Sequence, residues 1–434
     1  MTRPDTDPGS RAVVTTTSAV ELSPRDRTRV LIRSIGLCVL LAAPAVVMRL
    51  SGLEAEPVVA MIVYGGAVFA ASFVLAWAAE AAQVDISGGL AIAILALIAV
   101  LPEYAVDLYY AYTAGSDPGY VQYAAANMTG SNRLLLGLGW PVVVLVGLWG
   151  LKRVHQRRGH VLPLDAGNRL EIGFLLLAGI FAFVMPITGQ IHVWMGGVLF
   201  FWFGYYAYRL SRGAVEEPKL RGASAAIGTL PQTARRRTLI GLFVFAAAVV
   251  LIAAEPFAHS LVEGGKDLGV DEFLLVQWVA PLASEAPEFI IAIMFAARGN
   301  ATAAIGTLIS AKVNQWTLLV GSLPMAYWAG GGSPALPLDG RQVEEVLLTA
   351  TQTMLGIALI LGLHFHRWSA WILLGLFLVQ FPVTGTHGRI VLSIVYAVVA
   401  LAALAWNYRH LVPTLRAPFA RELIPESEYA GHQP

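Results

Sequence analysis

The chain has 434 residues, of which 57% are hydrophobic and 13% charged, with a mean hydropathy of +0.66 and a formal net charge of +1. Soluble domains carry about 25% charged residues, so this composition excludes a water-soluble globular protein, and the balanced charge gives no footing for nucleic acid. A single cysteine, Cys38, excludes an internal disulfide framework and a multi-cysteine metal site.

From the N-terminus, residues 1–30 are polar, with Pro, Thr, Asp and Arg and no apolar core, which predicts a cytoplasmic tail without a cleavable signal peptide. A helix needs about 20 apolar residues to cross the hydrocarbon. Twelve stretches read as spans: 31–49, 57–79, 88–113, 120–150, 170–187, 190–210, 238–258, 270–297, 300–329, 344–364, 368–383 and 388–409. Within 120–150, "LGLGWP" (136–141) either bends one long helix or separates two short ones. Basic clusters lie at 25–29, 152–158, 219–237 and 409–421, whereas 51–56, 115–119, 331–340 and 384–387 are poor in Lys and Arg. Positive charge stays inside, and all four basic regions share the cytoplasm only if 120–150 crosses once. Both termini are then cytoplasmic, in a multi-pass protein of the cell (inner) membrane.

Two stretches share a plan: "AAEAAQVDISGGLAIAILALIAVLPEYAVDLYYA" (78–111) and "AAEPFAHSLVEGGKDLGVDEFLLVQWVAPLASEAPEFIIAIMFA" (253–296). Each reads as an apolar helix ending in Ala-Ala-Glu, a polar connection, then an apolar helix broken by Pro-Glu. Glu103 and Glu288 correspond, 288 − 103 = 185 apart, and each unit continues into a Gly-rich helix. Five spans separate the two starts, so the copies have opposite topology. The expected fold is an all-α polytopic membrane protein of two inverted five-helix repeats with one extra helix at each end, the architecture of a secondary transporter with a midplane site. The domains follow: tail 1–30, extra span 31–56, first repeat 57–210, basic cytoplasmic linker 211–237, second repeat 238–383, and extra span with tail 384–434.

A charge at the bilayer centre costs at least about 2.5–3.5 kcal/mol, which makes intramembrane acids site candidates. Proline removes a backbone donor and clashes with the preceding turn. Pro102 and Pro287 are therefore expected to loosen their helices before Glu103 and Glu288, turning carbonyls at 98–101 and 283–286 toward the same cavity. Carboxylates with carbonyls are hard oxygen ligands, suited to calcium, sodium or a similar cation. Asp107, one turn beyond Glu103, reads either as a supporting ligand or as the partner of Arg133. Glu285 is either free or neutralised by Lys312. Glu80 and Glu255 read as solvated helix ends, and His364 with His366 as interfacial. Asn127, Ser131 and Asn132 offer neutral oxygens, while Gly130, Gly306 and Ser310 allow close helix packing.

These residues resemble the alpha repeats of the calcium/cation antiporter superfamily, the sodium/calcium exchanger family. "QVDISGGLAIAILALIAVLPE" and "DLGVDEFLLVQWVAPLASEAPE" match the first part of its repeat, and "ANMTGSNRLLLGLG" and "IGTLISAKVNQWTLLVG" the second. The resemblance implies that Glu103 and Glu288 bind the transported cations, with Ser131 as the hydroxyl ligand of the first repeat and Gln315 as the amide or acid ligand of the second. The family's Thr-Ser pair before Leu-Pro-Glu is Ala99-Val100 in one unit and Ser284-Glu285 in the other. Leu135 and Ala311 replace an asparagine and a serine, and Lys312 replaces the asparagine of the second Gly-Ser-Asn. A site short of hydroxyl and amide oxygens holds a dehydrated sodium poorly. Lys312 in the cavity would occupy a cation subsite; alternatively Glu285 or Asp107 titrates and couples transport to protons.

The resulting expectation is alternating-access antiport of a small inorganic cation, calcium by family default, against sodium or protons, with no cofactor. Competing readings are a sodium/proton exchanger without a calcium step and a transport-inactive sensor of the same fold. An intramembrane enzyme is disfavoured, because neither His-Glu-x-x-His nor Gly-x-Ser-x-Gly is present. Oligomeric state has no signature in the chain.

Overall fold

In lipid every backbone polar group must be satisfied within its own segment, so long apolar stretches fold as helices. The computed structural model of the chain describes residues 24–85, 98, 100–155, 159–212, 220, 222–383 and 385–420. Expectations that fall on the N-terminal tail to residue 23, on 86–97 and Ala99 of the third span, on 156–158, 213–219, 221 and Thr384, and on 421–434 lie outside the described residues.

Helix α1 (Pro24–Ser51) precedes α2 (Pro57–Ala82) and α3 (Leu101–Ala114). Then α4 (Val121–Leu134) runs through a π turn at Leu135–Gly139 into α5 (Trp140–His155). The "LGLGWP" stretch therefore widens one helix and does not split it. After α6 (Asn168–Ala182), the short α7 (Val184–Thr188) and α8 (Val193–Ser211), a small α9 (Gly222–Gly228) leads to the second unit. That unit comprises α10 (Gln232–Leu268), α11 (Glu272–Ala297), α12 (Ala301–Asn314), a second π turn at Gln315–Leu319, α13 (Val320–Ala329), α14 (Gly340–Ile360) and α15 (Arg367–Val379). α16 (Thr386–Trp406) and α17 (Tyr408–Arg416) close the chain. Eight of the described helices are long and apolar enough to cross a membrane. The fold is that of a polytopic helical membrane protein with two inverted repeats and an extra helix at each end.

Two sequence expectations are corrected here. In the second unit Ala-Ala-Glu does not end a helix: α10 continues through Pro256 to Leu268, supported by a Glu263–Lys266 pair at 2.8 Å, and stops at Gly269, whose φ of +63° serves as a left-handed cap. Pro281 and Pro287 do not break α11, which stays helical from Glu272 to Ala297. Surrounding protein allows a proline to sit inside a membrane helix, and Ser284 Oγ between the two prolines donates back along α11 to Ala280 O at 3.2 Å and Pro281 O at 3.4 Å.

Four three-residue strands expose the symmetry between the units. β1 (Val161–Pro163) pairs antiparallel with β4 (His364–His366), and β2 (Gln190–His192) with β3 (Ala335–Pro337). β1 and β3 open the matching stretches "VLPLDAGNRLEI" and "ALPLDGRQVEEV", offset by 335 − 161 = 174; β2 and β4 share that offset, 364 − 190 = 174. Each ribbon thus takes one strand from each repeat, and it joins two loops expected on the same face of the membrane. The likeness reaches side chains. Asn168 Oδ1 accepts from the Asp165 amide and Gln342 Oε1 from the Asp339 amide, both at 3.1 Å. His192 stacks on Trp194 and His366 on Trp368, at 6.1 and 5.7 Å. Glycines let the units close on each other: a Cβ at Gly150 would lie 2.5 Å from Ala296 O, and one at Gly330, 330 − 150 = 180 residues on, 1.9 Å from Tyr112 O.

A buried ionic cluster ties the last span to the repeats. Glu345 on α14 forms ion pairs with Arg133 on α4 at 2.5 Å and with Arg389 on α16 at 3.4 Å. Gln380 Oε1 accepts from Arg133 at 3.2 Å, and Gln277 Nε2 donates to Glu345 at 3.3 Å. Removing one partner of such a cluster leaves uncompensated buried charge. Glu345→Gln is expected to cost about 3–5 kcal/mol, seen as a lower melting temperature in detergent; an unshifted melt would refute this account of the cluster.

Beyond the end of α2, Asp85 accepts from Arg235 through both oxygens, at 2.8 and 2.6 Å. The paired guanidinium holds the Asp85 carboxyl below its usual range despite partial burial. A depressed folded-state value stabilises the fold above the ordinary aspartate pKa of about 3.9, and the gain disappears as pH falls through the depressed value. Asp85→Asn should therefore melt below the parent at neutral pH, and the two melting curves should converge in acid.

Candidate functional site

Pro102 sits in the first turn of α3, where its missing N–H costs no helical bond. Val100 precedes that turn with φ −91° and ψ 4°, and its carbonyl accepts the Tyr104 amide at 3.2 Å. That carbonyl is occupied, contrary to the expectation of freed groups around 98–101. The turn delivers Glu103 to a buried position facing α4 and the second π turn.

There the two units meet. Ser131 Oγ on α4 donates to Glu103 Oε1 at 2.5 Å. Gln315, the first residue of the second π turn, directs Nε2 at Ser131 Oγ (2.8 Å), Glu285 Oε1 (3.0 Å) and, more distantly, Glu103 Oε1 (3.4 Å). An amide nitrogen has only two hydrogens, so the two shorter contacts hold Gln315 in place and the third is electrostatic. π turns recur at functional positions because the widened spacing re-aims side chains. Here the turn gathers two carboxylates and a hydroxyl around one amide, all buried.

The other candidates sort around this cluster. Asp107 accepts from Asn127 Nδ2 at 2.8 Å and does not meet Arg133, which is taken by Glu345. Lys312 makes no ion pair with Glu285 among the described residues; its fully buried ammonium donates to the backbone carbonyl of Asn132 and to Asn132 Oδ1, the latter at 2.8 Å. Ser284 turns its hydroxyl back along its own helix and stands apart. Glu288, one turn beyond Glu285 on α11, is half-buried and has no hydrogen-bond or ion-pair partner among the described residues, and it lies within electrostatic range of Glu103. Gly130 lets α4 close on α11, since a Cβ there would sit 1.8 Å from Gln277 O. Glu80 is not a solvated end, because Ser224 donates to it at 2.7 Å, while Glu255 pairs with Arg49 at an exposed position.

Sequence reasoning passed over three contributors. Tyr104 OH donates to Asn314 Oδ1 at 2.9 Å, which links α3 to α12 beside Glu103. Glu171 accepts from Asn168 at 2.9 Å and from Tyr206 at 3.3 Å, with no cation beside it among its hydrogen-bond partners. Its equivalent, 171 + 174 = 345, is the doubly paired Glu345. The doubled "PLD" stretch was the signal that exposes the pair.

Four buried oxygens here have no hydrogen-bond partner among the described residues: Glu285 Oε2, Gln315 Oε1, Asp107 Oδ2 and Asn127 Oδ1. Acceptors without donors, arrayed with carboxylates, suit a hard cation or a proton. Among the described residues no three His, Cys, Asp or Glu side chains converge as a ready metal cage. Carboxylates would therefore share the work with amide and hydroxyl oxygens.

The family model described as sodium/calcium exchanger protein matches residues 56–212 and 238–381. Among solved structures, the chain is similar to the H+/Ca2+ exchanger CAX, with 38% identity and a TM-score of 0.85 over 91% of this chain and 98% of that one. It shares the fold of the Ca2+/H+ antiporter protein YfkE at 16% identity, with a TM-score of 0.58 over 84% of this chain and 99% of that one. No curated protein sequence matches it.

Proposed function

Given that the chain belongs to the sodium/calcium exchanger protein family and is a membrane cation antiporter, we propose that it exchanges calcium for protons by alternating access at the cluster around Glu103, Glu285, Glu288 and Gln315. The observation that carries this reading is the surplus of buried acceptor oxygens beside the Gln315 link. A calcium ion shared among carboxylate and amide oxygens would satisfy them; protons on the same carboxylates would satisfy them in its place. The two cargoes then compete for one set of atoms, and binding one expels the other.

Protons are preferred to sodium as counter-ion because, among the described residues, Gln315 Oε1 and Asn127 Oδ1 are the neutral side-chain oxygens left free beside the carboxylates, too few to replace the water shell of a sodium ion. Asn132 Oδ1 is held by Lys312, and Ser284 Oγ by its own helix. The similarity to the H+/Ca2+ exchanger CAX supports the same choice. Ser131 would hold Glu103 in register in either loading state. In this reading both termini face the cytoplasm of the cell (inner) membrane.

In proteoliposomes carrying a pH gradient, the parent protein should move calcium against protons without a sodium requirement. Glu103→Gln and Glu288→Gln should each reduce this flux to that of empty liposomes. Undiminished flux in the double variant would exclude the site, and flux driven by sodium but not by a pH gradient would exclude the counter-ion.

A further inference from the structure

Lys312 and Asn132 occupy equivalent places in the two repeats, 312 − 132 = 180, the same offset as the two π turns, 315 − 135 = 180. They touch each other. Residues related by a two-fold axis that are also in contact lie at that axis, so the ammonium sits where the repeats meet, one turn before Gln315.

Its surroundings are those of a bound monovalent ion. The ammonium is fully buried, its two oxygen partners are the Asn132 backbone carbonyl and Oδ1, and the Trp316 ring lies 5.7 Å away. No carboxylate pairs with it within salt-bridge distance among the described residues, so it is not one half of an ion pair. Asn132 is set beforehand, because its Nδ2 donates to Met128 O at 2.9 Å and thereby aims Oδ1 at the axis. Shortening the lysine would leave two fixed oxygens directed at a space the size of an ammonium group. Glu103 and Glu285 lie within the electrostatic reach of this positive charge.

We propose that Lys312 is a built-in cation: its ammonium fills a monovalent position on the axis between the repeats, so that each cycle carries one monovalent ion fewer than the oxygens could hold. The inference rests on the reading of the Glu103 cluster as the transport site. It assigns Lys312 a role in setting coupling ratio and ion selectivity, apart from cargo binding itself.

The test compares the parent protein with Lys312→Met, Lys312→Gln and Lys312→Arg in proteoliposomes, with the charge moved per calcium read from the gradient at which net flux vanishes. Arg should keep the parental ratio. Met and Gln should change it by one charge per calcium and make exchange depend on added sodium or lithium. Gln keeps a donor for Asn132 and covers the case in which Met does not fold. For a folded but inactive variant, sodium-dependent thermal stabilisation absent from the parent is the expected result. Neutral variants with the parental ratio, or with no stabilisation by sodium or lithium, would overturn the proposal while leaving the calcium–proton reading intact. Absence of calcium–proton exchange in the parent itself would defeat that reading.

Discussion

Hydrocarbon offers a buried charge nothing, so each ionised side chain within the bilayer must be answered by an opposite charge, by oriented dipoles or by an ion that comes and goes. The framework of this chain uses the first two, and the proposed site would use the third. Glu345 is met by two arginines and belongs to the framework. Glu171 is met by neutral donors from Asn168 and Tyr206. Glu103 and Glu285 are joined through the Ser131 hydroxyl and the Gln315 amide, with oxygens to spare. The difference between scaffold and candidate site lies in what each carboxylate still lacks.

The inverted repeat supplies equivalent positions and then fills them differently. Ser131 faces Ala311 across the offset, Leu135 faces Gln315, and Asn132 faces Lys312. One hydroxyl from the first repeat and one amide from the second therefore build a single composite cluster, and two complete half-sites do not form. The offset also drifts, from 185 at the glutamates (288 − 103) to 180 at the π turns and 174 at the strands. Connections between helices shortened along the second unit while the helical elements kept their relation.

The helical, membrane-spanning character of the chain and its intramembrane acids were legible in the sequence, because hydropathy and charge are local properties; that Glu285, and not Glu288, would share a hydrogen-bond network with Glu103 was not. Single passage through 120–150 followed from the placement of basic residues, and the helix runs unbroken through the widened turn there. What escaped was non-local. Arg133 and Glu345 lie 345 − 133 = 212 residues apart, and nothing beside Arg133 points to its partner, so Asp107 looked equally suitable. The reach of α10 past Ala-Ala-Glu was hidden by polar residues that read as a loop and instead pair along a helix. Proline misled differently in the two units. Pro102 begins a helix, while Pro287 sits inside one, and composition alone does not distinguish the two.

The two short ribbons have a mechanical meaning beyond their size. One clasps β1 to β4 and the other β2 to β3, and each carries one strand from either repeat. The helices that flank these strands, α5 to α8 and α13 to α15, are thereby stapled into a hoop at opposite rims of the molecule. Sliding one half of that hoop past the other would tear backbone bonds at both rims together. Among the described residues no such ribbon holds α2 or α10, which pack against each other through apolar side chains.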